Sequence, residues 1–179
     1  NPDDFFRDSS PQQMLEQLRS LGINRLSLGV QSFFEEDLQL MNRVHSVAQV
    51  ETLLQIASQY FNNITIDLIY GIPQMSEERW QENINKALSF DIPHISAYAL
   101  TVEEKTALHK FIATGKIAPI SDEQAYTHFQ MLIDTLEAEG FIQYEFSNFG
   151  KEGYFSRNNT AYWFGKPYMG IGPSAHSFN

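Results

Sequence analysis

The chain contains no cysteine in its 179 residues. That absence excludes disulfides, zinc-thiolate sites and any cysteine-held iron–sulfur cluster within these residues. Basic residues are scarce as well: 12 Lys plus Arg stand against 22 Asp plus Glu, a net charge of -10. A surface of that sign repels a phosphate backbone and releases none of its counterions, so nucleic acid is excluded as a general partner. No apolar run approaches the about 18 residues of a membrane-span candidate. The opening NPDDFFR also lacks the basic-then-apolar order of a signal peptide. A cytoplasmic protein without a membrane span is therefore expected. Asn1 and Pro2, with no initiator Met, read as the continuation of a longer chain.

What is present suits one sizeable core, with 42% hydrophobic and 13% aromatic residues. Ser10, Pro11 and Gln13 have the order of a capped helix start, and Met14, Leu15, Leu18 and Leu21 form an apolar stripe that Gly22 ends. A short strand over residues 25–31 follows. The phrase then repeats. Ser46 with Gln49 opens a helix whose Val47, Val50, Leu53, Leu54 and Ala57 face a core, and residues 64–70 form the next strand. Ser76 caps a helix that turns Trp80, Ile84, Ala87 and Leu88 inward, and residues 94–100 form the third strand.

Alternating helices and strands, with strands apolar along most of their length, predict an α/β fold with a parallel sheet. Right-handed crossovers place the strand C-terminal ends on one side, where such folds build their sites, and Gln31, residues 67–70 and residues 99–101 fall near that rim. Beyond it, Ser121 opens a long amphipathic helix through Tyr126, Phe129, Leu132, Ile133 and Leu136 to Gly140. Residues 142–149 read as a strand, and the tail over 153–179 is rich in aromatics and glycine. The division expected is residues 1–118 for the alternating unit and 119–179 for the helix, strand and tail.

Three polar residues stand out. Asp67 lies in an otherwise apolar strand, where a carboxylate is costly unless it is paired or hydrogen-bonded. A helix N-terminus or an ion pair with a residue such as Arg43 would answer it, and so would a ligand. Gln31 alone reads as a loop hydrogen bond, and Arg43 alone as a solvated charge. Together the three have another use: Asp and Gln on adjacent strand ends can hold a ribose diol, and Arg can clamp a carboxylate with two parallel bonds.

Residues 22–33 (GINRLSLGVQSF), 41–43 (MNR), 66–73 (IDLIYGIP) and 168–177 (YMGIGPSAHS) resemble, in order and spacing, the oxygen-independent coproporphyrinogen III oxidases of the radical S-adenosylmethionine (SAM) class and their heme-chaperone relatives. The resemblance covers nearly the whole chain. It implies a partial (β/α)6 TIM-type barrel, of which residues 1–118 supply the later strands and residues 119–179 the start of the C-terminal region. It also implies roles: Gln31 and Asp67 on the ribose of SAM, Arg43 on its carboxylate, and the backbone near Ala99 beside the adenine. The family's cysteine loop for a 4Fe-4S cluster would lie upstream. Without that cluster's electron the sulfonium is not cleaved and no 5′-deoxyadenosyl radical forms, so no catalytic residue is assigned.

The tail carries a clue to the branch. The chaperone branch has a His-Asn-x-x-Tyr-Trp motif associated with heme, and residues 158–163 here read NNTAYW. Asn158 replaces the His and is no ordinary axial ligand. His176 is the alternative ligand, against a structural role in a Gly-rich turn. Tyr162, Trp163, Phe164 and Tyr168 stack on a macrocycle in one reading and pack onto the barrel in the other. Arg157 and Lys166 are partners for propionates. The expected function is that of a radical SAM fragment in porphyrin or heme metabolism, chaperone-like, with heme and a heme-acceptor protein as partners. The alternatives are a true oxidase acting on coproporphyrinogen III, and an inactive binding or folding fragment. A half barrel is also expected to expose apolar surface where the earlier strands pack.

Overall fold

The computed structural model describes residues 1–7 and 10–179. A 3-10 turn over Pro2–Phe6 leads to α1 (Pro11–Ser20). As predicted, the Ser10 hydroxyl accepts from Gln13 N while the Gln13 side chain accepts from Ser10 N, and Gly22 adopts φ +83° just past the helix. Leu15 is buried and Met14 and Leu18 are half-buried, but Leu21 is exposed, because the helix stops at Ser20 and the stripe stops with it.

The parallel unit follows the expected order. β1 (Leu26–Gln31) leads through α2 (Glu35–Leu40) and α3 (Val47–Tyr60) to β2 (Ile64–Tyr70), and then through α4 (Glu77–Leu88) to β3 (His94–Ala99). β1 pairs with β2 and β2 with β3, both parallel, with Asp67 opposite Ser96 and Ile69 opposite Tyr98. Ser46 and Ser76 cap α3 and α4 through the backbone N–H of Gln49 and Arg79.

After β3 come α5 (Ala107–Ala113) and α6 (Asp122–Ala138). Then β4 (Ile142–Glu145), β5 (Asn148–Gly150) and α7 (Arg157–Trp163) complete the order. The single strand expected over 142–149 is instead a hairpin. Phe146 and Ser147 form a two-residue turn, and β5 runs antiparallel to both β4 and β3, giving the sheet order β1-β2-β3-β5-β4. The alternation of apolar and polar residues runs on through Phe146 and hides this from a sequence pattern, since Phe146 is apolar yet exposed.

One face of the parallel strands carries the core. Leu26, Leu28, Val30, Ile64, Ile66, Leu68, Ile95 and Ala97 are buried there beneath the helices. Trp80 of α4 anchors this layer. It is fully buried, lies 5.8 Å from the Tyr70 ring and 5.9 Å from His128, and donates from Nε1 to the His128 carbonyl at 2.7 Å. His128 in turn accepts from Gly71 N at 3.2 Å, so one helix pair and the end of β2 are fastened at a single place. Among the described residues no helix is long and apolar enough to cross a membrane.

Truncating that anchor removes both burial and a hydrogen bond. Trp80→Ala is expected to destabilise the fold by about 3–5 kcal/mol, the range for losing a buried aromatic. Urea unfolding followed by far-UV circular dichroism checks it, and a loss under about 1 kcal/mol would contradict the role given to Trp80.

Candidate functional site

The face opposite the core presents Ser27, Gly29, Thr65, Asp67, His94, Ser96 and Tyr98, the alternate residues of the same strands. It is polar rather than the apolar surface expected of a half barrel, with Ile69 half-buried among the polar groups. At its C-terminal rim the sequence-predicted residues collect by local backbone devices.

Gln31 is the first. It has φ +70°, rare for a residue with a side chain, and Ser32 N donates back to Val30 O at 2.9 Å across it. This is a γ-turn of the strained, positive-φ kind, costing about 1–3 kcal/mol in isolation. The β1–β2 register slips at the same place, between Leu28 and Gln31. The Gln31 side chain folds back over Gly29: a Cβ built on Gly29 would meet Gln31 Nε2 at 2.8 Å, so a side chain there would push the carboxamide out of this position.

Arg43 is placed by the end of α2. Asn42 turns left-handed at φ +54°, Asn42 N donates to Gln39 O at 3.0 Å and Arg43 N to Leu38 O at 2.8 Å. That is a Schellman termination with Asn in glycine's usual place. It delivers the Arg43 side chain to Gln31, with Nη2 3.4 Å from Gln31 Oε1. Arg43 and Ala99 line one cavity of about 480 Å³, together with Met41, Ile69, Thr101 and Leu108.

Asp67 does not line that cavity. It stands two residues below Ile69 on the same face, half-buried, and among the described residues it has no ion pair. The pairing with Arg43 considered above is absent, because Arg43 is engaged with Gln31. Burial pushes the Asp67 carboxyl above the usual carboxylate range, and hydrogen bonding with Ser96 only partly opposes the shift. Ser96 itself donates to Asn148 Oδ1 at 2.6 Å.

Lower on this face, His94 is buried with Nε2 2.7 Å from the Tyr144 hydroxyl and Nδ1 without a partner. Burial, and then the charge of Arg25, push it down to about 4. The sequence pattern did not single out His94, whose place inside an apolar strand was the available signal. No group of three His, Asp or Glu side chains able to hold a metal occurs among the described residues.

The tail residues stand apart from the rim. Tyr162, Trp163 and Phe164 are 52%, 73% and 76% exposed, so most of their surface stays in solvent. Tyr162 meets Tyr168 edge-on at 4.7 Å, and Tyr168 and Phe178 exchange backbone hydrogen bonds of 2.9 and 3.0 Å. Glu145 holds this segment: its carboxylate accepts from Asn148 Nδ2, Asn159 Nδ2 and the Trp163 indole N–H. Asn158 and His176 are exposed, and Gly170 packs so closely on the His176 carbonyl that a Cβ there would come within 2.4 Å.

Parallel strands joined by helices, with polar side chains and a cavity gathered at the strands' C-terminal rim, define a barrel-type α/β protein with its ligand site at that rim. The pattern of the Radical SAM superfamily matches residues 4–87. The heme chaperone HemW of Bacillus subtilis is 37% identical over 99% of this chain, and that of Synechocystis 36% over 93%. In structure, the coproporphyrinogen III oxidase HemN of Escherichia coli, a radical SAM enzyme, superposes with a TM-score of 0.76 at 25% identity, over 96% of this chain and 42% of its own. Over nearly its whole length the chain is similar to the HemN/HemW-like radical SAM proteins, and its fold matches their partial TIM barrel. It spans 46% of the length of the Bacillus relative and 41% of the Synechocystis one.

The buried His94 generates a pH dependence. Its folded-state pKa of about 4 lies below the ordinary 6.5, so the stability linked to its neutral form is complete above pH 6.5 and is lost as pH falls toward 4. The loss is of order 3 kcal/mol. Asp37 and Asp67, both raised by burial, act in the opposite sense on acidification. The difference between the parent and His94→Gln therefore isolates the histidine. Urea midpoints from pH 8 to 4 are expected to fall less steeply in the variant, and parallel curves would refute the assignment.

Proposed function

We propose that this chain forms the later half of the SAM-binding face of a longer radical SAM protein that handles heme in the manner of a chaperone. Residues 1–118 are assigned to the barrel half and 119–179 to the post-barrel region. The observation that carries the reading is the contact of Gln31 with Arg43, which lines the rim cavity together with Ala99, while Gln31 is not itself among the lining residues. Its volume is in the range of small-molecule sites, about 300–1,000 Å³.

The residues fit the chemistry of SAM. Asp67, half-buried without a cation, needs hydroxyl donors, and a ribose diol supplies two. Gln31 offers both a donor and an acceptor beside it on the neighbouring strand. Arg43 provides a planar fork for the ligand's carboxylate, and the backbone at Ala99 borders the cavity between Ile69 and Leu100, apolar neighbours that suit adenine. With a 4Fe-4S cluster, SAM supplies one-electron chemistry. This cysteine-free chain cannot hold that cluster, and we place its ligands in the length of the relatives that the chain does not span.

The greater identity to heme chaperones favours the chaperone branch, and the exposed aromatic tail supports it. Tyr162 and Trp163 offer exposed aromatic rings on which a macrocycle could stack, and His176 is an exposed imidazole of the same tail.

In the full-length protein with its cluster in place, Asp67→Asn and Arg43→Ala are expected to weaken SAM binding by about 1.5–3 kcal/mol each, the range for hydrogen bonds to charged groups. Calorimetric titration measures this, and unchanged affinity in both variants would remove the assigned roles. For heme, His176→Ala is expected to abolish the absorption signature of bound heme while Asn158→His changes it little. If Asn158→His instead strengthens binding and shifts the spectrum, the ligand position is that of residue 158. Heme binding unaffected by either, with anaerobic conversion of coproporphyrinogen III by the same protein, would replace the chaperone reading by the oxidase one.

A further inference from the structure

Gln31 does not hold its own conformation. A non-glycine residue at φ +70° returns to an extended backbone unless its neighbours are fixed on both sides, and here they are fixed by buried polar groups. On the N-terminal side, the Val30 carbonyl accepts from Ser32 N at 2.9 Å and also from His45 Nε2 at 3.2 Å. On the C-terminal side, Asn83 Oδ1 accepts from Phe33 N at 2.7 Å, and the Ser32 hydroxyl donates to Asp37 Oδ2 at 2.6 Å. Arg79 Nη1 neutralises Asp37 from 3.2 Å, and Asn83 Nδ2 donates to Arg79 O at 3.3 Å, which ties both groups to α4. Ser32, Asp37, His45 and Asn83 are 0%, 2%, 3% and 0% exposed, and none of them lines the cavity.

Such a set is costly to bury and stabilises little compared with apolar side chains of the same volume. Its geometry has one common result. Every one of these hydrogen bonds ends on the backbone or side chain of residue 30, 32 or 33, or on a group that orients one that does. We infer that His45 and Asn83 are positioning residues for Gln31, clamping the two peptides that flank it so that its carboxamide lies over Gly29 and meets Arg43. The inference rests on the assignment of Gln31 and Arg43 to SAM.

His45 has a second consequence. It lies two residues beyond Arg43, so its bond to Val30 fastens the Arg43 loop and the Gln31 turn to the same carbonyl. The separation of the two ligand-facing side chains is thereby set by one backbone atom.

The experiment uses the full-length, cluster-loaded protein, with SAM affinity from calorimetry and folding from thermal melting. Gln31→Ala is expected to weaken SAM about fivefold, as for loss of one neutral hydrogen bond. His45→Phe and Asn83→Ala are expected to weaken it by a similar factor, whereas His45→Gln, which can still donate to Val30 O, stays within about twofold of the parent. Gln31→Gly, which relieves the turn, is expected to melt at or above the parent temperature while binding as weakly as Gln31→Ala. Adding His45→Phe to Gln31→Gly then costs less affinity than His45→Phe costs the parent, because only the Arg43 loop is left for His45 to position.

If Gln31→Ala weakens SAM while His45→Phe and Asn83→Ala do not, the positioning role is wrong and the cofactor assignment stands. If Gln31→Ala and Arg43→Ala both bind SAM like the parent, the assignment itself fails and takes the inference with it. Should Asn83→Ala not fold, the His45 pair decides alone: equal affinity of His45→Phe and His45→Gln would overturn the proposal. A lower melting temperature for Gln31→Gly would equally count against a strained turn held by its surroundings.

Discussion

A parallel sheet covered by helices on one face and left polar on the other has to keep its strands in register without help from the uncovered side. Here the constraint is met by the apolar layer of Leu28, Ile66 and Ile95 beneath α3 and α4, locked by Trp80 against His128. A slip of one residue in β2 would turn Ile66 and Leu68 to the polar face and Asp67 into the core, at the cost of several buried aliphatics and one unpaired carboxylate. The placement of every rim residue follows from that register, since Asp67 and Ser96, and Ile69 and Tyr98, are neighbours only while it holds.

Above the register, the rim is built from departures from regular structure. β1 ends in a γ-turn, α2 in a left-handed Asn42, and Gly71 at φ +69° closes β2. Each breaks a repeating hydrogen-bond pattern, and two of the three are secured by a buried polar partner: His45 and Asn83 for the first, His128 for the last. The sheet is thus ordinary where it supports and irregular where it presents.

Much of this was legible in the sequence. The three parallel strands and the helix starts at Ser10, Ser46, Ser76 and Ser121 are written in short-range patterns, a capping hydroxyl followed by apolar residues at helical spacing, and the structure has each of them. The sequence groups Gln31, Arg43 and Asp67; in the structure Gln31 meets Arg43, and Asp67 stands lower on the same face, outside the cavity. What escaped were elements too short to show a period. α2, α5 and α7 have six, seven and seven residues, scarcely two turns, and the 142–150 hairpin turns at an exposed phenylalanine. The γ-turn was invisible for another reason. Glutamine has no preference for positive φ, so nothing in residue 31 itself announces it; the signal lies in Asn83, more than fifty positions away. His94 escaped because a buried neutral histidine looks, in sequence, like any polar interruption of a strand.

The fastening of α7 through Glu145 carries a consequence of a thermal kind. Apolar burial weakens on cooling, because water's reluctance to surround hydrocarbon fades, whereas hydrogen bonds to a carboxylate carry little of that heat-capacity signature. The helix is tied to the sheet by polar groups, Glu145 accepting from Asn159 and Trp163 and the Tyr144 hydroxyl accepting from Ser156 N, while Tyr162, Trp163 and Phe164 stand largely in water. In the cold, the core beneath the sheet loosens while this attachment does not.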